Sequence, residues 1–253
     1  MISVCIATCN GEKYLKEQLD SILNQLKSSD EVIISDDSST DKTIEIIKSY
    51  YDNRVIIFEN QKFRSPIFNF ENALKKANGD VIILADQDDI WREDKIDIIK
   101  KYLVDYDLVL SDANIIDSDG NQTDESFYKL NGSKSGVINN IVKNSYLGCT
   151  MAFNKNILEA SLPFPKDIPM HDWWIGLIAE IYGKTYFIDD KLISYRRHGN
   201  NASPTGEKSK YTFFKKIMFI HFILCLTIIV LLNAQEQLIY SSKPLSRTYF
   251  PSA

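Results

Sequence analysis

Apolar residues recur in two alternating rhythms along the first hundred positions. Short, nearly continuous apolar runs at 2–7, 31–35, 55–58, 81–85 and 108–110 are rich in β-branched residues and predict strands. Between them the spacing turns helical. Leu15, Leu19, Ile22, Leu23 and Leu26 fall on one face of a helix predicted over 12–27, with Asn10 as its N-cap. A second helix is predicted after Ser39-Thr40-Asp41, with Ile44 and Ile47 turned inward and an acid in the first turn. Strand–helix alternation with unbroken apolar strands predicts an α/β fold with a mostly parallel central sheet and helices on both faces. In such sheets ligands bind beyond the carboxyl ends of the strands. Three polar loops are therefore expected to converge on one edge: Thr8-Cys9-Asn10-Gly11, Asp36-Asp37-Ser38-Ser39 and Asp86-Gln87-Asp88-Asp89.

The pattern loosens over 112–200, where a polar stretch at 117–136 precedes a strand-like run at 149–153 and a helical run at 172–182. This half is expected to carry an acceptor. Residues 199–210 read as a linker. Beyond them an apolar run at 217–232, broken by His221 and Thr227, follows Lys208, Lys210, Lys215 and Lys216. A membrane-spanning helix needs ~20 residues. The shorter run with its cationic approach is better suited to peripheral membrane contact through 211–233, the alternative being a helix packed on the catalytic domain.

With 253 residues, 44% of them hydrophobic and 25% charged, the chain can bury one substantial core, so one catalytic domain with a tail is expected. A net charge of -5 excludes a general nucleic-acid binder but not a nucleotide site, since one diphosphate needs only a local cation. Cys5, Cys9, Cys149 and Cys225 have no metal-type spacing and read as reduced thiols. The first residues enter a strand without the basic region of a secretion signal, which places the catalytic part in the cytoplasm, at the inner face of the membrane.

Three carboxylates crowd the segment Asp86-Gln87-Asp88-Asp89-Ile90-Trp91, where an apolar strand opens into a loop. Like charges so placed repel one another and call for a cation; a hard divalent ion would take oxygens from them and from a phosphate. The alternative is a solvated turn capping a helix near Arg92. An EF-hand loop is disfavoured because Trp91 stands where glycine is needed. Asp36 and Asp37 form a second acidic pair, for which helix capping competes with recognition of a pyrimidine ring. Asp172 opens a helix beside Trp173 and Trp174, whose apolar faces could exclude water and stack on a sugar; an ordinary N-cap beside two core tryptophans is the alternative. Arg196, Arg197 and His198 gather cationic groups where a diphosphate would need them.

Taken in order, Ala7-Thr8-Cys9-Asn10-Gly11-Glu12, Ser35-Asp36-Asp37-Ser38-Ser39, Asn78-Gly79-Asp80, Asp86-Gln87-Asp88-Asp89-Ile90-Trp91, His171-Asp172-Trp173-Trp174 and Tyr195-Arg196-Arg197-His198-Gly199 resemble glycosyltransferase family 2, the GT-A enzymes, and within it a bacterial group often described as rhamnosyltransferases. The resemblance spans residues 1–203 and implies a GT-A fold, with 1–111 as the nucleotide-binding half, 112–203 as the acceptor half, and 204–253 as linker and apolar tail. It implies that Thr8 and Asn10 line the nucleotide pocket, that Asp37 with Asp36 reads the base, and that Asp86 contacts ribose or diphosphate beside Arg196 and Arg197. Asp88 and His198 would hold Mg2+ or Mn2+, with Asp89 the adjacent acid. Asp172 would be the catalytic base, and His171, Trp173 and Trp174 would meet the acceptor, although His171 stands where the family usually has Glu. The implied donor is a dTDP- or UDP-sugar, L-rhamnose foremost, and the implied acceptor a glycan or lipid-linked glycan of the cell surface. Two other classes remain open: a non-catalytic nucleotide-sugar or glycan-binding module, and a sugar nucleotidyltransferase. The latter needs a glycine-rich basic loop where Gly11 stands alone.

Overall fold

The computed structural model describes residues 1–124, 126–199 and 201, with Val142 described by its backbone alone. Most of the expected linker and the whole apolar run at 217–232 lie outside the described residues. Along the chain come β1 (Ile2–Thr8), α1 (Leu15–Leu23), β2 (Glu31–Asp36), α2 (Thr43–Lys48), β3 (Val55–Phe58), α3 (Pro66–Leu74) and β4 (Val81–Ala85). There follow β5 (Ile90–Trp91), α4 (Lys95–Tyr102), β6 (Leu108–Ile116), β7 (Gln122–Asp124), α5 (Phe127–Asn131), α6 (Val137–Val142), β8 (Met151–Asn154), α7 (Lys155–Ser161), α8 (His171–Tyr182) and β9 (Thr185–Arg196). Among the described residues no helix is long and apolar enough to cross a membrane.

One sheet runs β3-β2-β1-β4-β8-β6-β9-β5, with β7 attached to β6. The β3-β2-β1-β4 half is wholly parallel, Val4 standing beside Val32 on one side and Ile83 on the other. β8 lies antiparallel between β4 and β6, and β6 pairs parallel with β9. Both faces are covered: Val4 and Ile6 pack into the cluster holding Leu15, Leu19 and Ile22 of α1, while Cys5, facing the other way, is equally buried. This two-sided burial is why the strands read as unbroken apolar runs.

Two expectations are corrected. The first helix starts at Leu15, not residue 12, and Asn10 does not cap it: Asn10 takes a φ of 51° and its Oδ1 accepts from the Thr40 amide at 2.8 Å. The strand expected at 108–110 continues to Ile116, because β9 supplies a long partner whose apolar pattern is masked by Asp189-Asp190-Lys191, where the β6–β9 register shifts.

The start of the sheet is pinned by a buried polar knot. Ser3 Oγ donates to Glu31 Oε1 at 2.5 Å, and the same carboxylate accepts the Asn78 amide at 2.8 Å. The Gly79 amide in turn donates to Ser3 Oγ at 2.8 Å. A Cβ on Gly79 would stand 2.7 Å from the Ser3 backbone nitrogen. Gly79→Ala is expected to cost about 1–3 kcal/mol of unfolding free energy through this overlap, read by urea titration as a lower midpoint at unchanged slope.

Candidate active site

Because β1, β2 and β4 are parallel, their carboxyl ends share one edge, and side chains lace the three following loops together. Gln87 clasps the first loop through both ends of its amide: Oε1 accepts the Cys9 N–H at 2.9 Å and Nε2 donates to the Cys9 carbonyl at 3.2 Å. Gly11 permits the clasp, since a Cβ there would lie 2.5 Å from Gln87 Oε1. Asp36 is saturated locally by Thr8 Oγ1 at 2.8 Å and by the Ser39 amide and hydroxyl at 2.8 and 2.6 Å. Its neighbour Asp37 accepts the amides of Phe63 and Ser65 at 2.8 and 3.2 Å. The loop so held presents Arg64, exposed and with a φ of 51°.

These loops and the start of α8 enclose a cleft of about 380 Å³. Among the residues expected to act, Thr8, Asp37, Asp86, Asp88, His171 and Asp172 line it. Asn10, Asp36, Trp173, Trp174, Arg196, Arg197 and His198 do not, His198 reaching Asp88 from outside the lining. The lining is strongly acidic, with Arg64 its one arginine or lysine among the described residues. Burial, followed by the charges of Asp89, Asp88 and Asp172, pushes the Asp86 carboxyl well above the usual carboxylate range. Burial raises Asp89 to about 7, opposed by the Arg196 amide, which donates to its Oδ1 at 2.9 Å. Asp88 is raised by burial and lowered by His198, whose Nε2 lies 2.8 Å from Asp88 Oδ2.

That 2.8 Å separation bears on a metal. At this distance the two side chains are hydrogen-bonded to each other, and a hard divalent ion would draw on the Asp88 carboxylate, with the imidazole beside it. Asp86, Asp89 and Cys149 also bring potential ligand atoms within 4.8 Å of one another. Burial and the two aspartates hold the Cys149 thiol well above its ordinary value, however, and a protonated thiol does not suit a hard cation. The donor chemistry favours the carboxylates of this group over the thiol.

Across the cleft, Asp172 lies in the first turn of α8. Its Oδ2 accepts the Gly148 amide at 3.2 Å and its Oδ1 the Trp173 amide at 2.6 Å. Burial pushes it up to about 7 against these donors. His171 beside it is 5% exposed and stacked on Phe70, with ring centroids 4.2 Å apart. Neither of its ring nitrogens has a hydrogen-bond partner, and burial lowers it to about 3, so it is neutral near pH 7.

Three expected roles find no support in this geometry. Trp173 and Trp174 are both buried, with Nε1 donating to the carbonyls of Asn140 at 2.6 Å and Ser161 at 2.8 Å; they brace α8 and do not face the cleft. Arg196 is buried, its Nε bonded to the Asp88 carbonyl at 2.8 Å and its Nη2 to Glu17 at 2.7 Å, so its guanidinium braces the acid loop from behind. Arg197 donates its amide to Ile116 at 2.8 Å and lies outside the lining. Sequence reasoning missed Arg64, Asn69 and Phe70, which follow β3, the strand whose loop carried no acidic string. It also missed Lys95, fully buried beneath the acid loop.

Strand-end loops converging on an acidic cleft, with a histidine beside one acid and a buried carboxylate opposite, form an arrangement consistent with the GT-A class of glycosyltransferases. A model of glycosyl transferase family 2 matches residues 3–161, and the chain belongs to that family. The protein is therefore a glycosyltransferase. It is 32% identical over 231 residues to the dTDP-rhamnosyl transferase RfbG of Shigella flexneri, covering 81% of this chain and 76% of the relative. The fold matches S. aureus TarS 1-349 in complex with UDP-GlcNAc with a TM-score of 0.66 at 20% identity, over 88% of this chain and 66% of that one. It also matches the Pyrobaculum calidifontis mannosyltransferase PcManGT in complex with GDP-Man and Mn2+, with a TM-score of 0.58 at 18% identity, over 81% and 58%. The chain thus spans somewhat under two thirds of each of these two structures.

If Trp174 braces α8, Trp174→Phe should lower unfolding stability by about 1–3 kcal/mol, through the stranded Ser161 carbonyl and lost volume, with the acceptor KM within twofold of wild type. A large rise in KM at unchanged stability would restore Trp174 to the acceptor site.

Proposed function

We propose that the protein transfers a sugar, L-rhamnose foremost, from a dTDP- or UDP-linked donor to a hydroxyl of a cell-surface polysaccharide or lipopolysaccharide precursor, with inversion at the anomeric carbon. The observation that carries this reading is that Asp172, a carboxyl held near 7, lines the same cleft as Asp86 and Asp88. A base tuned near the working pH takes the acceptor's proton as its oxygen attacks. The likeness to a dTDP-rhamnosyl transferase supports the donor, and UDP-GlcNAc in TarS keeps uridine as the rival base.

In this reading Asp37 reads the imide of a pyrimidine ring, Asp86 meets the ribose or diphosphate, and Arg64 offsets phosphate charge; all three line the cleft. Thr8 shapes the floor. Asp88 and His198 would hold Mg2+ or Mn2+, a reading supported by the Mn2+ of the mannosyltransferase neighbour, and the ion would neutralise the departing nucleoside diphosphate. His171 offers the acceptor an uncharged imidazole. Enclosure of Asp172 away from water lets it act without competing hydrolysis. The apolar segment at 211–233 would bring the domain to the inner membrane face, where a lipid-linked acceptor resides. Deleting 211–253 should move the protein from the membrane to the soluble fraction while leaving nucleotide binding intact; loss of nucleotide binding would make the segment part of the core.

Asp172→Asn should lower kcat by ~10²–10⁴ while nucleotide affinity stays nearly constant. The base works as a carboxylate, so wild-type kcat should rise with pH up to about 7 and then level, and the variant should lose that limb. The sign for stability is opposite. The folded carboxyl holds its proton to a higher pH than an aspartate in the unfolded chain, so this group's contribution is present at low pH and is lost as pH rises through about 7. Near-normal transfer by the variant at saturating substrates would place the base elsewhere.

A further inference from the structure

Lys95 is the first residue of α4 and is 0% exposed, a setting that disfavours an ammonium unless something nearby requires its charge. Its Nζ donates to the Cys149 carbonyl at 3.0 Å and lies 4.1 Å from the centre of the Trp91 ring. Burial lowers it to about 8, while Cys149, Asp89 and Asp86 act the other way, so it remains mainly charged at neutral pH. A methionine would fill much the same volume without the cost of desolvating a charge, so stability alone does not account for the lysine.

The connection leads to Asp172. Cys149 is the middle residue of a tight 3-10 turn, Gly148–Thr150, and the Gly148 amide of that turn donates to Asp172 Oδ2. The turn has little room to shift, since a Cβ on Gly148 would stand 3.0 Å from His171 Nε2. Lys95 therefore touches the turn on one side and, on the other, the ring of Trp91 in β5, the strand that follows the acid loop. We propose that Lys95 is a positioning residue for the transfer reaction: it ties the Gly148–Thr150 turn to Trp91, in the strand that the acid loop enters, and so keeps the Gly148 N–H aimed at the Asp172 carboxylate. It touches no reactant. The inference rests on the reading of Asp172 as the base.

The test is the pH profile of kcat for Lys95→Met, with Lys95→Arg alongside, assayed at a temperature well below each variant's melting point. The charged and titratable groups that share the cleft with Asp172 are Cys9, Asp37, Arg64, Asp86, Asp88, His171 and Tyr195, and neither substitution replaces any of them. Losing the Gly148 N–H disfavours the ionised form of Asp172, so the rising limb should move to higher pH and kcat at pH 7 should fall ~10–100-fold, as for other residues that orient a functional group. A role confined to folding would lower the melting point and leave the limb in place. A folded Lys95→Met with wild-type limb and rate overturns the proposal. Should Lys95→Met not fold, Lys95→Arg decides: its larger planar head cannot occupy the same buried point, so a displaced limb supports the proposal and an unmoved one overturns it. Asp172→Asn in the same assay separates the two readings. If Asp172→Asn retains transfer, the base assignment fails on its own; if it is inactive while Lys95→Met keeps the wild-type limb and rate, only the role of Lys95 fails.

Discussion

The site is governed by the withdrawal of a cluster of carboxylates from water. Asp86, Asp88 and Asp89 leave the end of β4 within four residues of one another, and Asp172 acts on Asp86 from the opposite wall. Burial disfavours the charged form of all four, and like charges add to it at Asp86, from Asp89, Asp88 and Asp172, and at Asp89, from Asp88, so the charged state is held off unless cations or amide donors intervene. The surrounding structure supplies these case by case. The Arg196 amide meets Asp89, His198 meets Asp88, and Lys95 stands beneath Asp86 and Asp89. What the protein does not supply is a strong cationic partner at the open face of the cleft, where Arg64 alone carries an obligate positive charge among the described lining residues. A diphosphate entering such a cleft needs additional positive charge, which supports the proposal that a divalent ion accompanies it.

The fold serves this arrangement by its topology. Parallel pairing of β1, β2 and β4 brings three loops to one edge, and the antiparallel insertion of β8 between β4 and β6 carries the Gly148–Thr150 turn to the same place. β9 then returns beside β6 and delivers His198 against Asp88 across an interval of 110 residues. Each group is fixed by the sheet rather than by its own loop, which suits a site whose charges must be held apart to within a fraction of an ångström.

Much of this was legible before any coordinates. The apolar runs located the parallel strands within a residue or two, and the acidic strings at their ends located the loops of the cleft, because a charge cluster following a buried strand has few bland explanations. Long-range pairing was not legible. β9 was hidden by Asp189-Asp190-Lys191, which face outward where the register shifts, and nothing local distinguishes Arg196, turned inward onto Glu17, from an arginine facing a diphosphate. The two tryptophans were read as a sugar platform because their sequence position flanks Asp172; on α8 they point away from the cleft into the core. Lys95 was passed over because a lone lysine near a helix start is ordinarily exposed, and its burial follows from β5, β9 and the 148–150 turn closing over it.

The central claim, that the cleft takes its nucleotide together with a divalent cation, is tested most directly by isothermal titration of dTDP, and separately of UDP, into the full chain with Mn2+ and again with EDTA. The account predicts at least tenfold tighter binding with Mn2+, about 1.4 kcal/mol or more, and loss of that difference in Asp88→Asn. Equal affinity in Mn2+ and EDTA for both nucleotides would contradict it.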